Sequence, residues 1–347
     1  MLPRPGSNKT YSRTNGTVKR ISIDDFNILT RLGQGGFGTV YLAIKKYNNK
    51  EYAIKVVKKK LFKSALRVKD AINEKNIMVK ASNPFVIKLH YAFQDDRRIY
   101  YVMEYINGGV LLTYLRYMKR FNEKTTRFYA AQIALALKYL HEEKDVVYRD
   151  LKPENILVDE TGYVRLSDFG LSAMGVERLN SVCGTYEYIA PEILRGKEYT
   201  KVIDYFSFGC LIYEMLHGYS PFAEKTHATE NRSIIRSIVE GKYSIDAKLS
   251  ISPEAQDLIS KLLALDPDQR LGTNGVQEIQ DHPFFDKINW SNLYKKKIQC
   301  PITVIRYPGV VEKKNKLTES FQESSLNIVV SGFDYDADHE AESQLSY

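Results

Sequence analysis

The run Tyr148-Arg149-Asp150-Leu151-Lys152-Pro153-Glu154-Asn155 puts a carboxylate, an ammonium and a carboxamide within eight residues. Asp150 can accept the proton of an attacking hydroxyl. Lys152 can neutralise a phosphate in flight, and Asn155 can offer an oxygen to Mg2+. Thirteen residues beyond Asn155 stands Asp168-Phe169-Gly170, at a strand end, where a second group can hold the metal. Phosphoryl transfer asks little covalent work of a protein; it needs positioned metals, charge neutralisation and an oriented nucleophile. These residues supply all three, and chance co-occurrence at this order and spacing is negligible beside that reading.

A second group lies upstream. Gly33-Gln34-Gly35-Gly36-Phe37-Gly38 fits a hairpin turn or a phosphate-binding loop, and a G-x-G-x-x-G alone does not choose. A dinucleotide fingerprint leads from a strand into a helix; here one strand leads into another. Glycines let a backbone approach phosphate oxygens with no Cβ in the way. Lys55, seventeen positions after Gly38, is flanked by Ala53, Ile54 and Val56, so its ammonium needs an anion. Glu74, nineteen positions further on, is either a surface acid or its partner; the pairing with Lys55 favours the ion pair.

The elements that must position these groups follow from the pattern. Phe26–Leu32, Thr39–Lys45 and Tyr52–Val57 read as an antiparallel meander, 63–80 as a charged helix, and Ile87–Phe93 and Ile99–Tyr105 as two more strands. After Asn107-Gly108-Gly109 the texture is helical; Ile133, Ala136, Leu137 and Leu140 share one helix face. Two short strands, Ile156–Val158 and Tyr163–Leu166, flank an acidic glycine turn. The expected fold class is α+β and bilobal: a small five-stranded antiparallel lobe with one main helix (21–106) and a larger, mostly helical lobe (107–285). A basic disordered arm (1–20) precedes them, and a tail (286–347) lies over the body.

The net charge is +8, with five basic residues and no acid in the first twenty positions. Five acids, Asp334, Asp336, Asp338, Glu340 and Glu342, fall in the last fourteen. These read as solvated tails, with weak membrane-surface contact through the basic arm as the alternative. No aromatics interleave with the charges, so no dedicated nucleic-acid site is expected. The three cysteines follow no disulfide or metal spacing. The apolar stretch 202–216 carries Asp204 and Glu214 and is too short to span a bilayer. The expectation is a cytoplasmic protein without a transmembrane segment, the nucleus remaining open.

Taken together, from the glycine loop through Ala190-Pro191-Glu192 and the helix bearing Asp204, the chain resembles the eukaryotic protein-kinase family over about 26–285. Lys152 after Asp150, with Thr185, looks like serine/threonine specificity. Val182-Cys183-Gly184-Thr185-x-Glu187-Tyr188, and Tyr148 in place of the commoner His, look like the AGC group; Phe333-Asp334-Tyr335 resembles the end of that group's hydrophobic motif. The resemblance implies ATP and Mg2+ as cofactors, with Asn155 and Asp168 on the metal. Leu32, Gly33, Gly35, Gly38, Val40, Ala53, Lys55, Glu74, Met103, Glu104 and Leu157 would surround the nucleotide. It also implies that Glu192 pairs with Arg270, that Asp204 anchors the catalytic loop, and that Ser181 is an activation-loop phosphorylation site facing Arg149. Phe333, Asp334 and Tyr335 would dock beside the Glu74 helix. Val110, Glu154, Val182, Thr185, Tyr186 and Glu214 would face the substrate, a protein with basic residues upstream of its Ser or Thr. An upstream activating kinase is a further implied partner.

The departures are specific. Val110 replaces the usual glutamate after Gly108-Gly109, Tyr186 replaces a proline, and Asp70 and Ala173 stand where basic residues often assist Arg149. Val330 stands where the tail motif usually has an aromatic, and the span from Phe321 to Phe333 is short for a turn motif. Two competing readings are a catalytically weak kinase-fold scaffold and a small-molecule phosphotransferase. Intact Lys55, Asp150, Asn155 and Asp168 argue against the first, and a peptide-presenting segment through Ala190-Pro191-Glu192 against the second.

Overall fold

Asn49, in the left-handed region at φ 54°, turns the chain back between the second and third strands of the meander. Lys45 N–H donates to Lys50 O across that turn (2.9 Å). The structure, a computed structural model, describes residues 12–14, 17–36, 38–62, 64–175, 178–223, 231–304 and 329–338. They fall into two compact units: one within Met1–Ser82, Ile87–Asn107 and Tyr307–Tyr347, the other within Asn83–Val86 and Gly108–Arg306.

In the first unit, β1 (Ser12–Thr14) and β2 (Thr17–Lys19) make a small ribbon inside the arm expected to be disordered. The main sheet contains β3 (Phe26–Gly35), β4 (Gly38–Lys45), β5 (Glu51–Lys58), β6 (Leu89–Gln94) and β7 (Arg98–Glu104). These are the five expected strands, and a sixth joins them: β12 (Tyr335–Asp336), from the tail, pairs antiparallel with β6 through Tyr335–Ala92 and Asp336–Tyr91. The order is β12-β6-β7-β5-β4-β3. Alternation gives each face its chemistry. One face packs Phe26, Ala43, Tyr52, Ile54, Val56, Tyr91, Phe93, Tyr100 and Val102 into a core with edge-on and stacked rings. The opposite face carries Val40, Ala53, Lys55, Tyr101 and Met103. Helix α1 (Ala65–Lys80) begins at Ser64, whose hydroxyl accepts from Arg67 N–H (3.5 Å). It is tied to the sheet where Tyr101 OH donates to Ala71 O (3.0 Å).

The tail residues 329–338 dock on this unit. Phe333 is fully buried and meets Tyr101 edge-on, with centroids 5.1 Å apart. Gln94 clamps Val330 by two hydrogen bonds of 2.8 and 2.9 Å, and Lys75 on α1 donates to Gly332 O (2.8 Å). Asp334 pairs with Arg20. Past the strand, Asp338 accepts from Tyr91 OH and from buried Lys45 (3.4 Å). Phe37, Phe321, Glu340 and Glu342, with residues 1–11 of the basic arm, lie outside the described residues.

In the second unit, α2 (Leu111–Met118) leads to α3 (Glu123–Lys138), whose expected apolar face is buried. The end of α3 widens into a π-turn, Tyr139–Glu143. Next come β8 (Val146–Val147), β9 (Ile156–Val158), β10 (Val164–Leu166) and β11 (Ala173–Met174), which pair as β9 with β10 and β8 with β11. Then follow α4 (Pro191–Leu194), α5 (Ile203–His217), α6 (Asn231–Glu240), α7 (Pro253–Leu262), α8 (Val276–Gln280) and α9 (Trp290–Tyr294). α5 is buried along its whole length, which explains why it is apolar all round. Residues 295–304 run over the β9–β10 turn, held by Lys296–Asp159 (3.1 Å) and Tyr163 OH–Ile298 O (2.7 Å). Among the described residues no helix is long and apolar enough to cross a membrane.

Candidate active site

The sheet unit gathers the residues expected around a nucleotide by register. Gly33 lies opposite Val40, Val40 opposite Lys55, and Ala53 opposite Met103. Leu32 falls at the irregularity in β3 between Arg31 and Gly33, and Glu104 ends β7 opposite Tyr52, accepting from Lys88 N–H (2.9 Å). The glycines divide into two kinds. A Cβ on Gly38 would lie 2.5 Å from Val56 O, so Gly38 is needed for backbone packing. Gly33 and Gly35 face open space, as a loop that lets a ligand approach its backbone would. Lys55 and Glu74 are both buried, with Nζ and Oε1 2.7 Å apart. Each neutralises a charge that would otherwise be costly in this setting.

The helical unit assembles the other group. Lys152 Nζ donates to Asp150 Oδ1 (3.0 Å) and to Thr185 Oγ1 (2.7 Å), and Thr185 Oγ1 donates to Asp150 (3.2 Å). Asn155 Nδ2 donates to Asp150 O and Oδ2, both at 2.8 Å. Those bonds commit the amide nitrogen and leave its oxygen for a cation. β9–β10 pairing and the bond from Ser167 N–H to Asn155 O (2.9 Å) put Asp168 just beyond Asn155's neighbour strand. Asp168 is held at φ 53° and Arg149 at φ 69°, unusual for non-glycine residues and typical of sites that fix side-chain direction.

Asp204, buried on α5, sets the loop's position. It accepts from Tyr148 N–H and Arg149 N–H, both at 2.8 Å, and meets His141 Nε2 at 2.7 Å. Tyr148 is buried against Phe169, with ring centroids 5.3 Å apart, and burial pushes its phenol pKa well up. Glu192 and Arg270 form a buried two-pronged pair of 2.7 and 3.0 Å.

The residues expected to face a substrate are spread along this unit. Val110 caps α2 without a side-chain bond, and its backbone bridges Leu157. The preceding Gly108 has no room for a Cβ, which would fall 2.4 Å from Val158 O. Val182 and Tyr186 are exposed. Glu154 is exposed, whereas Glu214 is buried and accepts from Tyr188 OH. Burial raises the Glu214 pKa to about 7; the Tyr188 hydrogen bond opposes this, and the charges of Glu154 and Glu187 add to it. Ser181 Oγ accepts from Arg149 (2.9 Å).

His141 and Tyr199 belong to this network and were not singled out in the sequence. His141 rides the π-turn, whose widening no propensity announces. Tyr199, in Lys-Glu-Tyr-Thr, looks like any half-buried tyrosine. For a metal, the hard oxygens of Asp168 and Asn155 fit Mg2+, which takes one or two protein ligands and completes its shell with phosphates and water. Among the described residues no cluster of three or more His, Cys, Asp or Glu forms an all-protein cage.

Comparison with known proteins agrees with this geometry. Residues 26–285 match the family described as Protein kinase domain. The chain is 40% identical over 293 residues to cAMP-dependent protein kinase type 3 of Saccharomyces cerevisiae, covering 84% of this chain and 71% of that protein. It is 40% identical over 288 residues to serine/threonine-protein kinase sgk-1 of Caenorhabditis elegans, covering 82% and 61%. It is 41% identical over 284 residues to serine/threonine-protein kinase gad8 of Schizosaccharomyces pombe, covering 81% and 49%. The chain thus spans less than two-thirds of the length of the last two. It belongs to the protein kinase family, among kinases of the AGC serine/threonine type.

Proposed function

We propose that the protein transfers the γ-phosphate of Mg-ATP to serine or threonine hydroxyls of proteins with basic residues upstream of the acceptor. The observation that carries this is the Asp150–Lys152–Asn155–Thr185 cluster, with Asp168 at the end of the paired strand. Kinase family membership implies ATP as donor. Mg2+, held by Asp168 and Asn155, would supply charge neutralisation at the phosphates. In this reading Asp150 accepts the hydroxyl proton, and Lys152 balances charge on the moving phosphoryl group. Thr185, bonded to both, aligns the hydroxyl acceptor. Purified protein with Mg-ATP and a positional peptide library tests the reading; no phosphate transfer to any Ser or Thr peptide would refute it.

Two predictions concern selection. Glu214 and Glu154 face basic residues at the second and third positions upstream of the acceptor. With a pKa near 7, Glu214 is largely neutral at pH 6 and ionised at pH 8, so its charge rises roughly tenfold across that window. The ratio of kcat/KM for peptides with Arg against Ala at the second upstream position should rise from pH 6 to pH 8. In Glu214→Gln the ratio should stay flat; a flat wild-type ratio would exclude the role. The sign for stability is opposite: a raised carboxylate pKa favours the fold below pH 4.5, and that contribution is lost as pH rises toward 7.

Val110 offers no acceptor where the resemblance implies a glutamate. Arginine selection at the third upstream position should therefore be weak, by ~1–3 kcal/mol relative to a site with a charge-assisted bond. Val110→Glu should sharpen it. Strong wild-type selection that the substitution leaves unchanged would mean that Glu154 suffices. Tyr186 should separately alter the preference just after the acceptor.

A further inference from the structure

Arg149 follows a strained backbone turn into the catalytic loop, and its guanidinium is bound by three acceptors. It donates to Leu171 O, to Ser181 Oγ (2.9 Å) and to Tyr199 OH (3.3 Å). Tyr199 reaches the same segment in three further ways, the first a 3.3 Å contact between its hydroxyl and Ser181 Oγ. Its hydroxyl donates to Ser181 O (2.7 Å), and its main chain exchanges two 2.9 Å hydrogen bonds with Leu179. One residue therefore ties the segment 179–181 to the α4–α5 connection and touches the arginine next to Asp150. Every group in this contact is neutral except Arg149, and Ala173 on β11 contributes no charge there.

We propose that Tyr199 is a positioning residue that latches the activation segment onto Arg149 while Ser181 carries no phosphate, so that Asp150 and Thr185 are aligned in the unmodified chain. The latch acts through hydroxyls and a carbonyl. A phosphate on Ser181 would bind Arg149 by charge and make the phenol dispensable. Tyr199 and a Ser181 phosphate are thus alternatives, and their effects on rate should not multiply. Burial raises the Tyr199 pKa, with the bonds to Ser181 and Arg149 opposing, so the phenol remains a neutral donor at physiological pH.

The inference rests on the kinase reading, and the experiment separates the two. Tyr199→Phe keeps the ring and loses only the hydroxyl. Its kcat should fall about tenfold, as expected for one to two hydrogen bonds, with KM for ATP and melting temperature unchanged. Trypsin should cut faster after Arg178, whose side chain is 75% exposed, because segment 179–181 is released. Phosphoserine incorporated at position 181 should restore Tyr199→Phe to within about twofold of wild type and raise wild type by no more than that. Equal stimulation of both backgrounds would overturn the latch, as would unchanged kcat and cleavage in Tyr199→Phe. A melting-temperature loss that phosphoserine does not rescue would assign Tyr199 a merely structural role. Should Tyr199→Phe fail to fold, Ser181→Ala, at an exposed position, is expected to speed cleavage and lower kcat; unchanged values there also overturn the proposal. If wild type transfers no phosphate, the kinase reading fails, and the cleavage rates still decide the latch.

Discussion

Asp150→Asn should lower phosphate transfer from Mg-ATP to a basic Ser peptide by on the order of 10²–10⁴, the usual worth of a positioned general base. Asn is nearly isosteric; its single side-chain oxygen, set at the Oδ2 position, can still accept from Asn155 (2.8 Å) and Lys152 (2.9 Å), and the buried anchor at Asp204 is untouched. Folding and ATP binding should therefore stay close to wild type, and the loss should fall on kcat. Single-turnover kinetics with a melting curve in ATP check both halves. Near-normal turnover would remove Asp150 from the role of base. Lys55→Met should also collapse the rate, but by leaving Glu74 buried without its 2.7 Å partner and the phosphates misplaced.

The second large effect is expected from the tail. Phe333 is fully buried against Tyr101, and truncating a buried phenylalanine to alanine costs about 3–5 kcal/mol. Ending the chain after Ser331 also removes β12 and the Asp338 contacts with Lys45 and Tyr91. Melting temperature should drop by several degrees. Activity should drop with it, because Gly332 binds Lys75, the residue after Glu74 on α1, and Tyr101 binds Ala71, one turn before it. Differential scanning calorimetry and steady-state rates of the truncated and Phe333→Ala proteins measure this. Unchanged values for both would mean that the docked tail contributes nothing to the Glu74 helix.

Much of this arrangement was legible because its causes are local. Ile156–Val158 is a strand at the predicted residues, since β-branched residues stand between a loop proline and an acidic turn. The helix expected over 63–80 starts two residues later, at Ala65, because Ser64 supplies the cap. The buried Lys55 announced its need for an anion. β12 was not legible. A two-residue strand has no periodicity, and Tyr335-Asp336 is extended because β6 offers it an open edge some 240 positions earlier, with Lys45 and Tyr91 to receive Asp338. The helix bearing Asp204 was visible as an apolar run, but that its carboxylate would accept two backbone N–H groups of the catalytic loop came only with the resemblance. Tyr199 failed for the same reason as β12: its partners are distant in sequence, and nothing in its neighbours distinguishes it.

The strand order β12-β6-β7-β5-β4-β3 has a consequence for biosynthesis. Five strands of that sheet leave the ribosome within the first 104 residues, but their edge is covered only by residues 335 and 336. At about 5–20 residues per second, β6 waits roughly 12–46 s for its neighbour. Throughout that interval its main-chain donors and acceptors are bare, beside aromatic Tyr91 and Phe93, in a nascent chain already able to collapse. An uncovered strand of this kind is a template for pairing with another chain. Messages that stop before the codon for Tyr335 should therefore yield aggregates as well as a weaker enzyme, and a factor that shields exposed strands during translation should matter more for this protein than its ordinary hydrophobicity suggests.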